Sequence, residues 1–394
     1  MGLFSAQKDS DCMLIFDIGS GSVGGAILLA SATHTPSLLY SFRSEIPLHS
    51  NTTGRRLLSH MLRSLSEVVL AVTEEGFKVA GFGANPPRIT EVFISLSAPW
   101  IISKTSFLSL HNEKPELLTP AVFTTLLEHS RAERIPQEPG MQNCIEIEQK
   151  LIKAVLNGYE TAVPYGKKAS DVDFAVFGSF SVARITEQIA ETISRHIHAK
   201  HSSFHSFSMI AFAVLRELYP KEESFLIVDI SGEQTEISIV KKGILVEMMT
   251  FPSAKNHLLR LLERGSSVPF SGTTTMLKLH TENGSMGPMA EKIARSIEQA
   301  KKEWLEKFSE ALSTFSTEVF LPHRVFLTAD DDVSPIFAQA IHEGSFSRFA
   351  MSAALFDVTE LRNDQLASLV SWSPAQAPDV FISLIAAVAN RLRR

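Results

Sequence analysis

Leu14 to Leu28 reads LIFDIGSGSVGGAIL, and Leu226 to Val240 reads LIVDISGEQTEISIV. Each is an apolar, β-type run that ends in Asp-Ile and passes through small and polar residues able to turn tightly. Each then enters a second β-type run with no helical periodicity in between. The pattern is strand, turn of phosphate size, strand, and the chain uses it twice. Asp17 and Asp229 stand 229 − 17 = 212 positions apart, the separation expected of equivalent residues in the two halves of one large, two-lobed fold with a nucleotide between the halves.

The chemistry of these turns suits phosphate. A carboxylate at a strand end can hold Mg²⁺ directly or through water, while Gly and Ser let backbone N–H groups converge on phosphate oxygens. In the first copy Asp17 is the carboxylate and Gly19, Ser20, Gly21 and Ser22 form the turn; in the second the counterparts are Asp229, Ser231, Gly232 and Thr235. Either pattern alone is equally a plain hairpin with Asp and Gly at its end, and it is the repetition that favours a duplicated nucleotide fold. Gly19 to Gly24 also spells G-x-G-x-x-G. That dinucleotide fingerprint needs a helix to open at the glycines, with its N-terminus on the pyrophosphate. Here Gly24-Gly25-Ala26-Ile27-Leu28 leads into a strand, which argues against a nicotinamide oxidoreductase.

Composition narrows the compartment and the partners. A length of 394 residues allows two or three domains, and 44% hydrophobic with 20% charged residues is ordinary for a globular chain. A formal net charge of −6 offers no basic face, so nucleic acid is not an expected partner. Cys12 and Cys144 are the only cysteines, too few for a disulfide framework, which implies a reducing compartment. No leader-type apolar core or run of about 18 apolar residues is present. The expectation is a cytoplasmic protein without a transmembrane segment, peripheral at the inner membrane through a partner.

Leu14 to Ile46 reads as a β-meander broken around Ala32 to Pro36, and a helix follows over Arg55 to Glu75 with Leu57, Leu58, Met61, Leu62, Leu65, Val68 and Val69 on one stripe. From Arg88 the pattern restarts in a strand that runs toward Pro99. Thr119-Pro120 is an N-cap followed by proline at the first helical position, and strands over Cys144–Leu156 and Asp171–Val182 complete a strand, helix, strand, strand insert. The predicted organisation is a first lobe over 1–87, the insert over 88–183, a return to the first lobe over 184–222, a second lobe over 223–378 and a C-terminal helix over 379–394 packed on the first lobe. His196, His198, His201 and His205 cluster, and the last three would share a helix face that could bind a transition metal, although Lys200, Ser202 and Ser203 among them suggest a solvated surface. Glu291 to Glu310 reads as an amphipathic helix. No G-x-S-x-G or H-E-x-x-H motif occurs.

These residues resemble the actin-like ATPase superfamily, and within it the bacterial branch that contains the cell-division protein FtsA and the type IV pilus assembly protein PilM. Asp17-Ile-Gly-Ser-Gly-Ser-Val is similar to that group's first phosphate motif and Val228-Asp-Ile-Ser-Gly-Glu-Gln-Thr-Glu-Ile to its second. Val325-Phe-Leu-Thr-Ala-Asp aligns with the strand leading into its adenosine motif, and the insert looks like the extra subdomain of this branch. The resemblance implies an α/β, two-lobed fold of duplicated ribonuclease-H-like domains. It implies ATP and Mg²⁺ held by Asp17, Gly19, Ser20, Gly21, Ser22, Asp229, Ser231, Gly232, Thr235, Thr328 and Ala329, with Asp17 and Asp229 on the metal, and at most a weak ATPase. It further implies a scaffold that docks to an inner-membrane assembly protein through a cytoplasmic peptide, with possible self-association.

The departures bear on the nucleotide. Ala329 and Asp330 stand where the group places a glycine pair, Asp331 and Asp332 follow, Ser231 replaces a glycine, and Ser253-Ala254 replaces a second glycine pair. Side chains crowd a place meant for bare backbone, and successive carboxylates repel a triphosphate unless Mg²⁺ intervenes. Degenerate ATP binding is the expectation. Val380 to Arg394, VFISLIAAVANRLRR, is an apolar helix ending in Arg391, Arg393 and Arg394. Those arginines complement a helix dipole or an anionic membrane, while Ser383, Ala386 and Ala387 suit close packing. A core helix, and so a pilus-type scaffold, is the favoured reading. An FtsA-like membrane tether and a small-molecule kinase of the same superfamily are the alternatives.

Overall fold

The two sequence copies lie in the middle of the two principal sheets of the computed structural model, which describes residues 10–47, 54–82, 88–136, 141, 143–266, 268, 272–275, 277, 288–315, 321–344, 346 and 355–393. β1 (Ser10–Ile18), β2 (Ser22–Ser31) and β3 (Ser37–Glu45) form an antiparallel meander, and β1 takes β4 (Ile89–Leu96) as a parallel neighbour on its other side. An interior strand covered on both faces must be apolar on both. Met13, Leu14, Ile15 and Phe16 are accordingly all fully buried. α1 (Gly54–Leu70) buries Leu57, Met61, Leu65, Val68 and Val69 of the predicted stripe on this sheet and leaves Leu58 and Leu62 half-buried at its margin, and a π-helical turn over Ala71–Gly76 extends it.

The insert is a separate four-stranded sheet. β5 (Ile102–Leu117), α2 (Pro120–His129), β6 (Cys144–Leu156), β7 (Tyr159–Glu160) and β8 (Lys168–Val182) follow in sequence, with sheet order β5-β8-β6-β7. Thr119 caps α2 as its sequence predicts, the hydroxyl accepting from the Val122 N–H. Ile89–Leu96, grouped with the insert on its pattern, instead pairs with β1 in the first lobe. The insert's own sheet thus begins at Ile102.

α3 (Ala183–Ser194) packs beside α1 and returns the chain to the first sheet, where β9 (His201–Ser206) pairs parallel with β4. The histidines predicted to share a helix face are therefore split, His201 and His205 on a strand and His196 and His198 before it. The run His-Ser-Ser-Phe-His-Ser satisfies the edge of a sheet rather than a helical period. Among the described residues no group of three metal-ligating side chains gathers. α4 (Phe207–Leu218), capped by the Ser206 hydroxyl on the Met209 N–H, is buried from Phe207 to Phe212.

The second lobe repeats the plan of the first. β10 (Phe225–Ile230), β11 (Thr235–Lys241) and β12 (Ile244–Phe251) form the antiparallel meander, and β13 (Arg324–Ala329) is the parallel neighbour of β10, with β14 (Asp357–Glu360) beyond it. α5 (Lys255–Ser266), α6 (Pro288–Thr314) and α7 (Ser334–Glu343) belong to this lobe. Trp304 of α6 anchors the second-lobe core. Its ring stacks 4.8 Å from Phe308, lies 5.1 Å from Phe337, and its indole N–H donates to Thr235 Oγ1 at 3.0 Å. The chain then returns to the first sheet at β15 (Ser371–Trp372), beside β3 and ahead of the boundary drawn at 378. α8 (Val380–Leu392) is capped by the Asp379 carboxylate and packs on β1, β2 and α4, with Ile382, Leu384, Ile385, Ala386 and Ala389 fully buried. No described helix is long and apolar enough to cross a membrane.

Truncating Trp304 to Ala removes a fully buried ring and strips the Thr235 hydroxyl of its donor. The expected loss is about 3–5 kcal/mol, measured as a lowered urea midpoint by circular dichroism. A loss under about 1 kcal/mol would mean that the second lobe does not rest on this ring.

Candidate functional site between the two phosphate turns

Asp17 closes β1 and the chain turns through Gly19, Ser20 and Gly21 into β2, with the Gly19 N–H donating to the Ser22 carbonyl at 3.1 Å. Across the sheet Asp17 is in register with Gly24, and Gly24 with Arg43. A Cβ on Gly24 would meet the Arg43 guanidinium at 2.8 Å, so the bare glycine is what lets Arg43 lie across β2. Its Nη2 stands 2.9 Å from Asp17 Oδ2, its Nε donates to Asp379 Oδ2 at 2.7 Å, and its Nη1 donates to Ser22 Oγ at 2.9 Å. The Phe381 ring lies beneath it at 5.3 Å. Burial pushes the Asp17 carboxyl up to about 6, against the pull of Arg43. Burial also disfavours the Arg43 charge, but Asp379 and Asp17 outweigh it and raise the Arg43 pKa.

The second turn handles its aspartate differently. Asp229 is buried in register with Glu236 on one side and Thr328 on the other, and it accepts from Thr328 Oγ1 at 2.7 Å. Burial pushes Asp229 well above the ordinary carboxylate range, Glu236 adding to the effect, and burial raises Glu236 itself to about 6. Thr235 is fully buried; its hydroxyl donates to the Ser253 carbonyl at 2.6 Å and receives the Trp304 N–H. Ala329 ends β13 in the core, and the following acids clasp Lys255, whose Nζ lies 2.8 Å from Asp330 and 3.0 Å from Asp332.

The two turns touch each other. The Ser20 N–H and the Ser20 hydroxyl both meet Ser231 Oγ at 3.1 Å, and Ser20 Oγ accepts from the Glu233 N–H at 2.8 Å. A Cβ on Gly232 would lie 2.3 Å from Gly21 Cα, so the contact is backbone on backbone. Trp100, at the entry to the insert, donates its indole N–H to the Gly19 carbonyl at 2.8 Å. The space left among Asp17, Ser22, Arg43, Asp229, Ser231 and Asp330 is about 20 Å³, room on the order of one water. Beside it opens a cleft of about 550 Å³ rimmed by Glu45, Lys255, Asn256, Asp330, Asp331 and Asp332.

The structure thus gathers Asp17, Gly19, Ser20, Gly21, Ser22, Asp229, Ser231 and Gly232 around one point, and sets Thr235, Thr328 and Ala329 in the core beneath the second turn. As placed, these residues do not fit a metal–triphosphate. Arg43 stands against the carboxylate that would face the metal, and the serines that would meet phosphate are bonded across the turns. Sequence reading missed Arg43, Asp379, Trp100 and Lys255. A signal for the first was present, because a glycine in register with both an aspartate and an arginine leaves room for that pair to meet across the middle strand.

Two lobes that each carry a strand-turn-strand on a meander-plus-parallel sheet, with a further sheet inserted in the first, are the actin-like ATPase fold. The chain superposes on a chain of the PilM–PilN type IV pilus biogenesis complex with a TM-score of 0.64 over 96% of its own length and 98% of that chain, at 12% identity. It is more loosely similar to the ethanolamine utilization protein EutJ from Carboxydothermus hydrogenoformans (TM-score 0.47, 12% identity, 95% of this chain and 89% of that one). A Bacteroides thetaiotaomicron protein with actin-like ATPase fold is likewise similar (TM-score 0.42, 10% identity, 98% of this chain and 99% of that one). No protein-family model and no curated protein matches the sequence.

The raised acids carry a pH signature. Glu236 is protonated in both states below its ordinary 4.5; between there and about 6 the unfolded chain releases the proton first, so stability falls as pH rises. Glu236→Gln removes that penalty. The variant should gain about 2 kcal/mol over the parent at pH 7.5 and little at pH 4.5, by denaturant melts at both pH values. An equal change at both would show that Glu236 does not titrate in this window.

Proposed function

We propose that this chain is a cytoplasmic scaffold of the PilM kind, which docks to an inner-membrane assembly component through that partner's cytoplasmic peptide. The observation that carries the reading is the superposition over nearly the whole of both chains on a member of the PilM–PilN complex, with no described helix able to cross a membrane. The insert supplies a place for the peptide. Between β6 and helices α4 and α8 lies a groove of about 460 Å³ with Leu151, Ile152, Phe212, Ala213 and Val388 in its wall and Arg216 at its rim. The outer edge of β6 is paired by β7 only at Val155 and Leu156. Its remaining backbone groups on that side can receive an extended segment by strand addition, with side-chain pockets giving selectivity.

Burial of α8 supports attachment through a partner over an FtsA-like tether, because a helix whose Ile382, Leu384, Ile385 and Ala389 are packed under β1 and β2 does not present them to lipid. Self-association and any residual ATP hydrolysis are not needed by this reading.

Fluorescence anisotropy tests it with labelled peptides from the cytoplasmic termini of candidate inner-membrane partners from the same genome. Micromolar binding is expected, and Ala213→Trp, which fills the groove, should weaken it at least tenfold, about 1.4 kcal/mol. Binding that ignores the tryptophan would move the site elsewhere. Retention at the membrane after peptide binding is lost, together with release on changing Arg391 and Arg393 to Gln, would favour the tether.

A further inference from the structure

We propose that Arg43 is the resident cation of the first turn, and that this chain keeps the junction of its two turns closed by its own residues, with no nucleotide. The inference rests on the geometry of the turns and not on the docking reading.

The guanidinium is placed as a permanent fixture. It meets Asp17 at 2.9 Å, Asp379 at 2.7 Å and Ser22 at 2.9 Å from three different nitrogens, over the face of Phe381. Nε and Nη1 are hydrogen-bonded to Asp379 and Ser22 while Nη2 stands in an ion pair with Asp17 without a hydrogen bond of its own, three directions that the planar guanidinium reaches and a lysine ammonium does not. A cation bound in trans would have to displace it from Asp17. The turns themselves then leave no gap for phosphate: Ser20 and Ser231 bond each other, Glu233 N–H is spent on Ser20, and Gly21 and Gly232 are in backbone contact. At the mouth of the cleft Asp330, Asp331 and Asp332 face any incoming anion, and Lys255 is already shared by two of them. The three arrangements meet at Asp330, which lines the same gap as Arg43 and Asp17, and together they oppose a bound triphosphate. The expected cofactors, ATP and Mg²⁺, are thereby replaced by an internal ion pair and an internal clasp.

Three measurements on the full chain test this. The wild-type protein titrated with millimolar Mg²⁺-ATP should show no calorimetric binding and no shift in melting temperature. Arg43→Ala should lower the melting temperature by about 5 °C or more, since it strands Asp17 and Asp379 beside each other. Millimolar methylguanidinium should restore at least half of that loss while methylammonium does not, far below the molar concentrations at which guanidinium salts unfold proteins. Should Arg43→Ala fail to fold, Arg43→Lys, which keeps the charge but not the fork, must fold with a lower melting temperature and remain blind to nucleotide. The proposal is overturned if Mg²⁺-ATP raises the melting temperature of the wild type and Asp17→Asn abolishes that rise. It is equally overturned if Arg43→Ala melts like the parent, or if methylammonium rescues as well as methylguanidinium.

Discussion

Gly21 and Gly232 touch through their backbones, and the rest of the site follows from that contact. Neither position has room for a Cβ, so the two lobes approach closely at the tips of their turns. Once they do, the polar groups of both tips lie out of water and must be satisfied locally. Ser20 and Ser231 serve that need across the lobe boundary. The buried carboxylates behind the tips face the same constraint. Asp17 answers it with a cation drawn over Gly24, and Asp229 with a threonine hydroxyl and a pKa pushed toward the neutral form. Two copies of one motif have therefore diverged into two ways of burying an acid, one against a guanidinium and one against a threonine hydroxyl.

How much of this was legible in the sequence depends on the range over which each feature is encoded. The two strand-turn-strand copies were legible because strand period and turn chemistry are local, and so was the Thr119-Pro120 start of α2. The inward character of α8 could be read from its own small and apolar residues. Ile89–Leu96 was assigned to the insert because a short apolar strand reads the same whichever sheet it joins, and only its pairing with β1 decides. The histidine cluster misled because spacings of three and four suggest a helix, while the intervening Ser202, Ser203 and Phe204 belong to a strand beside β4. Arg43 was missed because its role is encoded across three strands. Residues 17, 24 and 43 become neighbours only when the register of the meander is known.

The departures from the nucleotide motifs take on a single physical meaning in this light. An alanine and acids in place of a glycine pair, a serine in place of a glycine, and a buried arginine over the first aspartate look unrelated along the chain. In space Arg43, Ser231 and Asp330 line one small volume and Asp331 and Asp332 the cleft beside it, with Ala329 in the core behind them. Ser231 supplies the oxygen that the opposite turn bonds, and Asp330 and Asp332 hold the lysine that leads α5. A binding loop needs its donors unpaired until the ligand arrives, whereas a structural joint needs them paired in the resting state. These residues meet the second requirement.

A closed joint also bears on the insert. Trp100 reaches from the entry of the insert to the Gly19 carbonyl, and its own carbonyl receives the Ser181 hydroxyl of β8 at 2.8 Å. The first turn, the indole and the central strand of the inserted sheet thus form one hydrogen-bonded chain of contacts. At the other flank Glu148 of β6 accepts from the Ser206 N–H at 3.0 Å and pairs with His205 at 2.8 Å, with His205 stacked 4.0 Å from Phe93. The insert is consequently fixed to the first lobe on both sides of the groove that β6 shares with α4 and α8. In a fold whose lobes move when a nucleotide comes and goes, such a groove would open and close with that cycle. Here the two turns are hydrogen-bonded to each other, which on the proposed reading would hold the groove in one shape. Under the proposed docking, preorganisation of that kind would lower the cost of receiving an extended peptide, because a surface already in its binding shape spends less on ordering.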